Sequence, residues 1–155
     1  MDPIDSINPK KDSTLAMMLA AQARGWHVSV FTQADLYIED GEVSVFTSDV
    51  TLFDDTDKWF DVQDRRTAKA TEFDCVLMRK DPPFDMEYIY ATYLLELIEK
   101  NGVPVLNRPA SVRDCNEKLF ALQFPQCTPS HLVSRNQEKL KSFHQKHGDV
   151  IYKPL

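Results

Sequence analysis

Basic residues at three places in this chain could do chemistry. Arg79 and Lys80 stand in MRKDPPFD, straight after an apolar run and straight before Pro82 and Pro83. Lys118 stands in RDCNEKLF and Lys153 in VIYKPL. A guanidinium on a stiff loop suits a carboxylate or phosphate gripped by two parallel N–H donors. The prolines stop the strand, because neither donates to a ladder, and they stiffen the loop behind the charges. The plain alternative is a strand end with solvated charges, and pattern alone does not choose between the two. Lys153 ends an apolar stretch, where a buried ammonium needs a partner. Two lysines from separate elements suit a polyphosphate, although each alone is explained by an exposed or snorkelling side chain.

Other reactive types point nowhere specific. The cysteines are Cys75, Cys115 and Cys127, an odd set whose spacing fits neither a metal site nor a redox pair. Cys75 lies in the apolar run and is expected to be a small buried hydrophobe. His144 and His147 share a helix face, but no third ligand accompanies them, so a solvated face is expected rather than a metal site.

The elements that must position these residues are readable. Asp12 or Ser13 can cap a helix running to about Arg24, with Gly25 as its stop. Residues 26–31 (WHVSVF) alternate like a strand. Asp40-Gly41 divides two strand-like runs and signals a hairpin, since both residues tolerate positive φ. Residues 47–71 are acidic and least legible; they read as a strand followed by a long surface excursion anchored by Trp59 and Phe60. Residues 73–78 read as a buried strand. Asp85 can cap a helix over residues 86–100 with an apolar stripe through Ile89, Tyr93, Leu94 and Leu97. Asn101-Gly102 ends it, and residues 103–106 (VPVL) make another strand. Short helices among prolines follow. Residues 130–133 (SHLV), a helix over residues 137–147 and VIYKPL then begin a second small α/β unit.

Strand, helix, strand predicts an α/β fold with an open, mainly parallel, Rossmann-like sheet and a β-hairpin excursion. In such sheets ligands sit beyond the carboxyl ends of the strands, where Arg79 falls. The 155 residues carry 43% hydrophobic and 27% charged side chains, normal for a globular protein. A net charge of −6 argues against nucleic acid or an anionic membrane as a general partner. No apolar run approaches the length of a membrane span, and the N-terminus lacks a signal pattern, so a cytoplasmic location is expected.

The stretches LMRKDPPFDMEYIYATYLLE and LNRPASVRDCNEKLF resemble the prokaryotic-type glutathione synthetase family of the ATP-grasp superfamily. MDPIDSINPKKDST, DLYIEDGE, TPSHLVSRN and DVIYKPL fit the same family in the same order. The resemblance implies ATP-dependent ligation of γ-glutamylcysteine to glycine through an acyl phosphate, with Mg2+ or Mn2+ as cofactor. It implies ATP contacts at Lys118 and Lys153 and dipeptide binding at Arg79; by position, Ser6 and Asn8 are placed in the same region. It divides the chain into residues 1–117, a pre-ATP-grasp domain for substrate binding and oligomerisation, and residues 118–155, the beginning of the ATP-grasp domain. Against the family pattern a first strand, a glycine-rich phosphate loop and the metal ligands are not in these residues. The expectation is therefore a fragment with no catalytic residue or metal ligand of its own and no activity alone, from a parent that forms a homo-oligomer. Another ATP-grasp carboxylate–amine ligase and a non-catalytic interaction module are the alternatives. A dinucleotide-binding domain has little support, since no G-x-G-x-x-G follows a strand.

Overall fold

A computed structural model describes residues 1–116 and 118–154. The chain divides into two compact units, residues 1–113 and 114–155.

In the first unit, helix α1 spans Ser13–Gln22, with the Asp12 carboxylate accepting from the Leu15 N–H at 2.9 Å. That bond satisfies one of the orphan donors of the first turn. Strand β1 (Ser29–Val30) is shorter than the alternation of residues 26–31 predicts, and Trp26 is exposed. Strands β2 (Leu36–Glu39) and β3 (Glu42–Leu52) form the expected hairpin. Asp40 and Gly41 both have positive φ, 49° and 84°, as a two-residue hairpin loop requires.

Residues 47–71 differ from the reading of a surface excursion. Strand β4 (Phe60–Lys69) pairs antiparallel with β3 from Ser44↔Lys69 to Leu52↔Phe60. Its sequence, FDVQDRRTAK, hides the strand because β4 is a charged edge on which Ala68 alone is fully buried. The register shifts where Asp49 faces Asp64 and Val50 faces Val62, leaving Gln63 as an extra residue on β4. At the same point burial on β3 changes phase, from Val43, Val45, Thr47 and Asp49 to Val50 and Leu52. The two halves of one strand thus serve different cores. Val43 packs with Val76, Leu95, Ile98 and Val105; Val50 and Leu52 pack with Leu15 and Met18.

Strand β5 (Val76–Leu77), helix α2 (Met86–Lys100) and strand β6 (Val105–Leu106) make the strand–helix–strand unit, with β5 and β6 parallel. Asp85 caps α2 by accepting from the Tyr88 N–H, as expected. The expected parallel pairing is present at β5 and β6. Among the described residues the larger sheet, β1 to β4, is wholly antiparallel, and β5–β6 is the parallel pair. The reason lies in the connections. Short links reverse the chain and give antiparallel neighbours, whereas parallel pairing needs a crossover of the length of α2. Burial is also partial along β5: Val76 is buried, but Leu77 is half-exposed and Cys75 is exposed, so Cys75 is not the core residue expected.

Helix α3 (Pro109–Asp114) lies at the boundary of the units. Arg113 fastens it to α2: one guanidinium nitrogen donates to Thr92 Oγ1 at 3.2 Å, another to Glu96, and the group lies 4.5 Å from the Tyr93 ring centre.

The second unit holds short 3-10 turns at Phe120–Gln123 and Pro125–Cys127 and helix α4 (Gln137–His147). Asn136 caps α4 through the Glu138 and Lys139 amides, and Gly148 ends it at φ 73°. None of its described residues is fully buried. Residues 130–133 and 150–154 form no strand, contrary to expectation, and Ile151 and Tyr152 are exposed. A strand exists only with a partner for its backbone ladder, and none pairs with these segments among the described residues. Leu155, the last residue of that expected strand, and Glu117, the last of the expected first domain, lie outside the described residues.

Candidate functional site

Parallel pairing brings the carboxyl ends of β5 and β6 to one edge. The Met78 N–H donates to the Leu106 carbonyl at 2.5 Å, and the chain then leaves the pair as Arg79, Lys80 and Asp81. The loop continues through the cis peptide Pro82–Pro83 to the Asp85 cap. The strand end is thus where the charges were expected, and the side chains of Arg79 and Lys80 are not simply solvated.

Each has a partner in the N-terminal segment. Arg79 Nε donates to Thr14 Oγ1 at 3.1 Å and Nη2 to Ser13 Oγ at 2.7 Å. Lys80 Nζ lies 2.8 Å from Asp2 Oδ1 and also donates to the Asp81 carbonyl at 2.6 Å. The Asp81 amide donates to Asp2 Oδ2 at 2.9 Å. Asp2 therefore accepts from both the side chain and the backbone of the loop. Partial burial alone would push the Asp2 carboxyl up. The Lys80 and Asp81 hydrogen bonds and the nearby positive charges outweigh it, so its pKa lies below the ordinary value. Tyr88, whose ring lies 5.2 Å from that of Phe84, has its phenol pushed up, first by burial.

Arg79 thus emerges with its direction set and its charge intact, since hydroxyls orient a guanidinium without neutralising it. Lys80, by contrast, is matched by Asp2. Such an arrangement can bind an anion.

Ser6 and Asn8 take no part in this cluster of bonds. Ser6 and Asn8 are exposed, and their side chains close local turns: Ser6 Oγ donates to the Pro3 carbonyl at 2.7 Å, and Asn8 Oδ1 accepts from the Lys10 amide at 3.1 Å. Lys118 and Lys153 belong to the second unit and are exposed. The Lys118 backbone amide donates to Asn116 Oδ1 at 2.9 Å. An ammonium group is of the chemical type that suits phosphate oxygens. Among the described residues no group of three or more His, Cys, Asp or Glu could hold a metal ion. Ser13, Thr14 and Asp2 were not legible as site residues. Their partners lie 66, 65 and 79 residues away, and no local pattern links them.

Comparison with known proteins decides the family. Residues 1–113 match the N-terminal domain of prokaryotic glutathione synthetase, and residues 117–155 match the ATP-grasp domain of the same enzyme. The chain belongs to the prokaryotic glutathione synthetase family. Similar relatives include the glutathione synthetases of Vibrio vulnificus strain YJ016, 52% identical, Pseudomonas putida strain KT2440, 54% identical, and Vibrio cholerae strain El Tor Inaba N16961, 53% identical. Each match covers 100% of this chain and 49% of the relative. The chain spans about half the length of the curated relatives it matches. In this family member, the matched N-terminal domain and the first compact unit end at the same residue, Arg113. No helix among the described residues is long and apolar enough to cross a membrane.

Proposed function

We propose that this chain is part of a glutathione synthetase, an ATP-dependent carbon–nitrogen ligase that joins γ-glutamylcysteine to glycine. The observation that supports this best is the match of all 155 residues to glutathione synthetases at 52% identity, across two consecutive domains of that enzyme. In this reading residues 1–117 serve substrate binding and oligomerisation, and residues 118–155 begin the ATP-grasp domain. The β5–α2–β6 unit supports a mainly parallel sheet in the whole protein. The cysteinyl carboxylate takes the terminal phosphoryl group of ATP and ADP leaves. The glycine amine then displaces phosphate from the acyl carbon and gives up a proton. Arg79 binds a carboxylate of the dipeptide, with Ser6 and Asn8 lining the same region. Lys118 and Lys153 hold ATP and offset the charge of its phosphates. Mg2+ or Mn2+, bound together with ATP, would help offset the charge of its phosphates. The setting is the cytoplasm, and the whole protein is a homo-oligomer.

The test is ADP release by the full-length gene product, with γ-glutamylcysteine and glycine each omitted in turn. Turnover that needs both supports the reading. Lys118→Ala should raise the KM for ATP, and Arg79→Ala should raise the KM for the dipeptide. Turnover that ignores the dipeptide but proceeds with another acid overturns the substrate and leaves the ATP-grasp chemistry.

A further inference from the structure

Arg79 uses one particular edge of its guanidinium inside the protein. Nε and Nη2 point the same way, and both donate to the first turn of α1, at Thr14 Oγ1 and Ser13 Oγ. A guanidinium has about five N–H donors arranged as a rigid fork. With the Nε–Nη2 edge used, the Nη1–Nη2 end remains as a parallel pair of donors, the form that accepts a carboxylate at both oxygens. Two further facts bear on this. Among the described residues Arg79 has no carboxylate partner, whereas its neighbour Lys80 is paired with Asp2. Thr14 is also buried, at 9% exposure, so its hydroxyl is fixed by packing rather than free to turn with solvent.

We propose that Ser13 and Thr14 are positioning residues, whose hydroxyls hold the free end of Arg79 toward a carboxylate of the substrate dipeptide. The proposal rests on the reading that Arg79 binds that dipeptide. It assigns the hydroxyls no contact with the substrate; they act through Arg79. Either one lost, the guanidinium regains rotational freedom and must be ordered again at each binding event.

The experiment is steady-state kinetics of the full-length protein with Ser13→Ala, Thr14→Val and Thr14→Ser, each alone and with Arg79→Ala. Thr14→Val keeps the side-chain shape and removes the hydroxyl; Ser13 is exposed, so its alanine variant does not depend on core packing. Ser13→Ala and Thr14→Val are each expected to raise the KM for γ-glutamylcysteine about five- to tenfold, with the KM values for ATP and glycine unchanged. Thr14→Ser is expected to restore it. In the Arg79→Ala background neither substitution should add a further effect, which a merely structural defect would do. If Arg79→Ala raises the dipeptide KM but the hydroxyl variants do not, or if their effects add to it, the positioning role is overturned and the role of Arg79 survives. If Arg79→Ala leaves the dipeptide KM unchanged, the reading of Arg79 itself fails, and the proposal falls with it.

Discussion

The indole N–H of Trp59 donates to the carbonyl oxygen of Ile4 at 2.9 Å, across 55 residues of sequence. It joins the end of the β3–β4 hairpin to the N-terminal segment that also holds Asp2. Trp59 and Ile4 pack against the same cluster as Leu15 and Val50. Trp59→Phe keeps an aromatic ring and removes the donor. It should lower unfolding free energy by about 1 kcal/mol, measured from the urea midpoint at unchanged slope.

The Asp2 latch predicts a particular pH dependence. Its carboxyl is held below the ordinary aspartate value of 3.8, so the folded state favours the ionised form. The resulting stabilisation is fully present above that ordinary value. It is lost as pH falls from there through the lower folded-state value. Asp2→Asn should therefore be less stable than the native chain above that ordinary value. The gap should close in the acid limb, below the value of 3.8. Urea midpoints of both proteins across that range are the measurement; a gap that does not close in the acid limb would place the effect on a group other than the Asp2 carboxyl.

Arg113 combines a hydrogen bond to fully buried Thr92, an ion pair with Glu96 and a position over the Tyr93 ring. Its hydrogen bond and that of Lys100 hold the Glu96 carboxyl below the usual range. Arg113→Lys keeps the charge but loses the fork and the ring contact. It should recover only a minor part of the loss in melting temperature caused by Arg113→Ala. Amide exchange should show the loss centred on α3 and the facing turn of α2.

At the β2–β3 turn, Gly41 has φ 84° with open space where a Cβ would stand. Gly41→Ala therefore meets no clash and tests backbone strain alone. It should cost about 1 kcal/mol by denaturant titration. Asp40→Gly, at a non-glycine residue with φ 49°, should be close to neutral.

Much of the local structure was legible in the sequence for local reasons. Asp12 and Asp85 cap helices because a carboxylate reaches the amide three residues on, at Leu15 and Tyr88. Asp40-Gly41 marks a turn because both residues accept positive φ. The abrupt change from apolar run to charge to proline marked the strand end at Arg79, without choosing between an anion site and solvated charges. β4 was not legible: an edge strand that exposes most of its side chains shows charge where a buried strand would show alternation. The antiparallel larger sheet was missed for a related reason, since the helix-and-strand rhythm of residues 73–106 dominated the pattern.

The sequence by itself determined the caps, the turns, the family resemblance and the residue types available for anion binding, because each depends on neighbours a few positions away or on contiguous motifs. Tertiary structure alone decided that Arg79 meets Ser13 and Thr14, that Lys80 and Asp81 share Asp2, and that Gln63 is the extra residue where β3 changes from one core to the other. Those pairings join residues tens of positions apart. The contacts of residues 79–81 follow from how β5 ends against the N-terminal segment, and the bulge from how β4 pairs with β3, relations that no short-range pattern encodes.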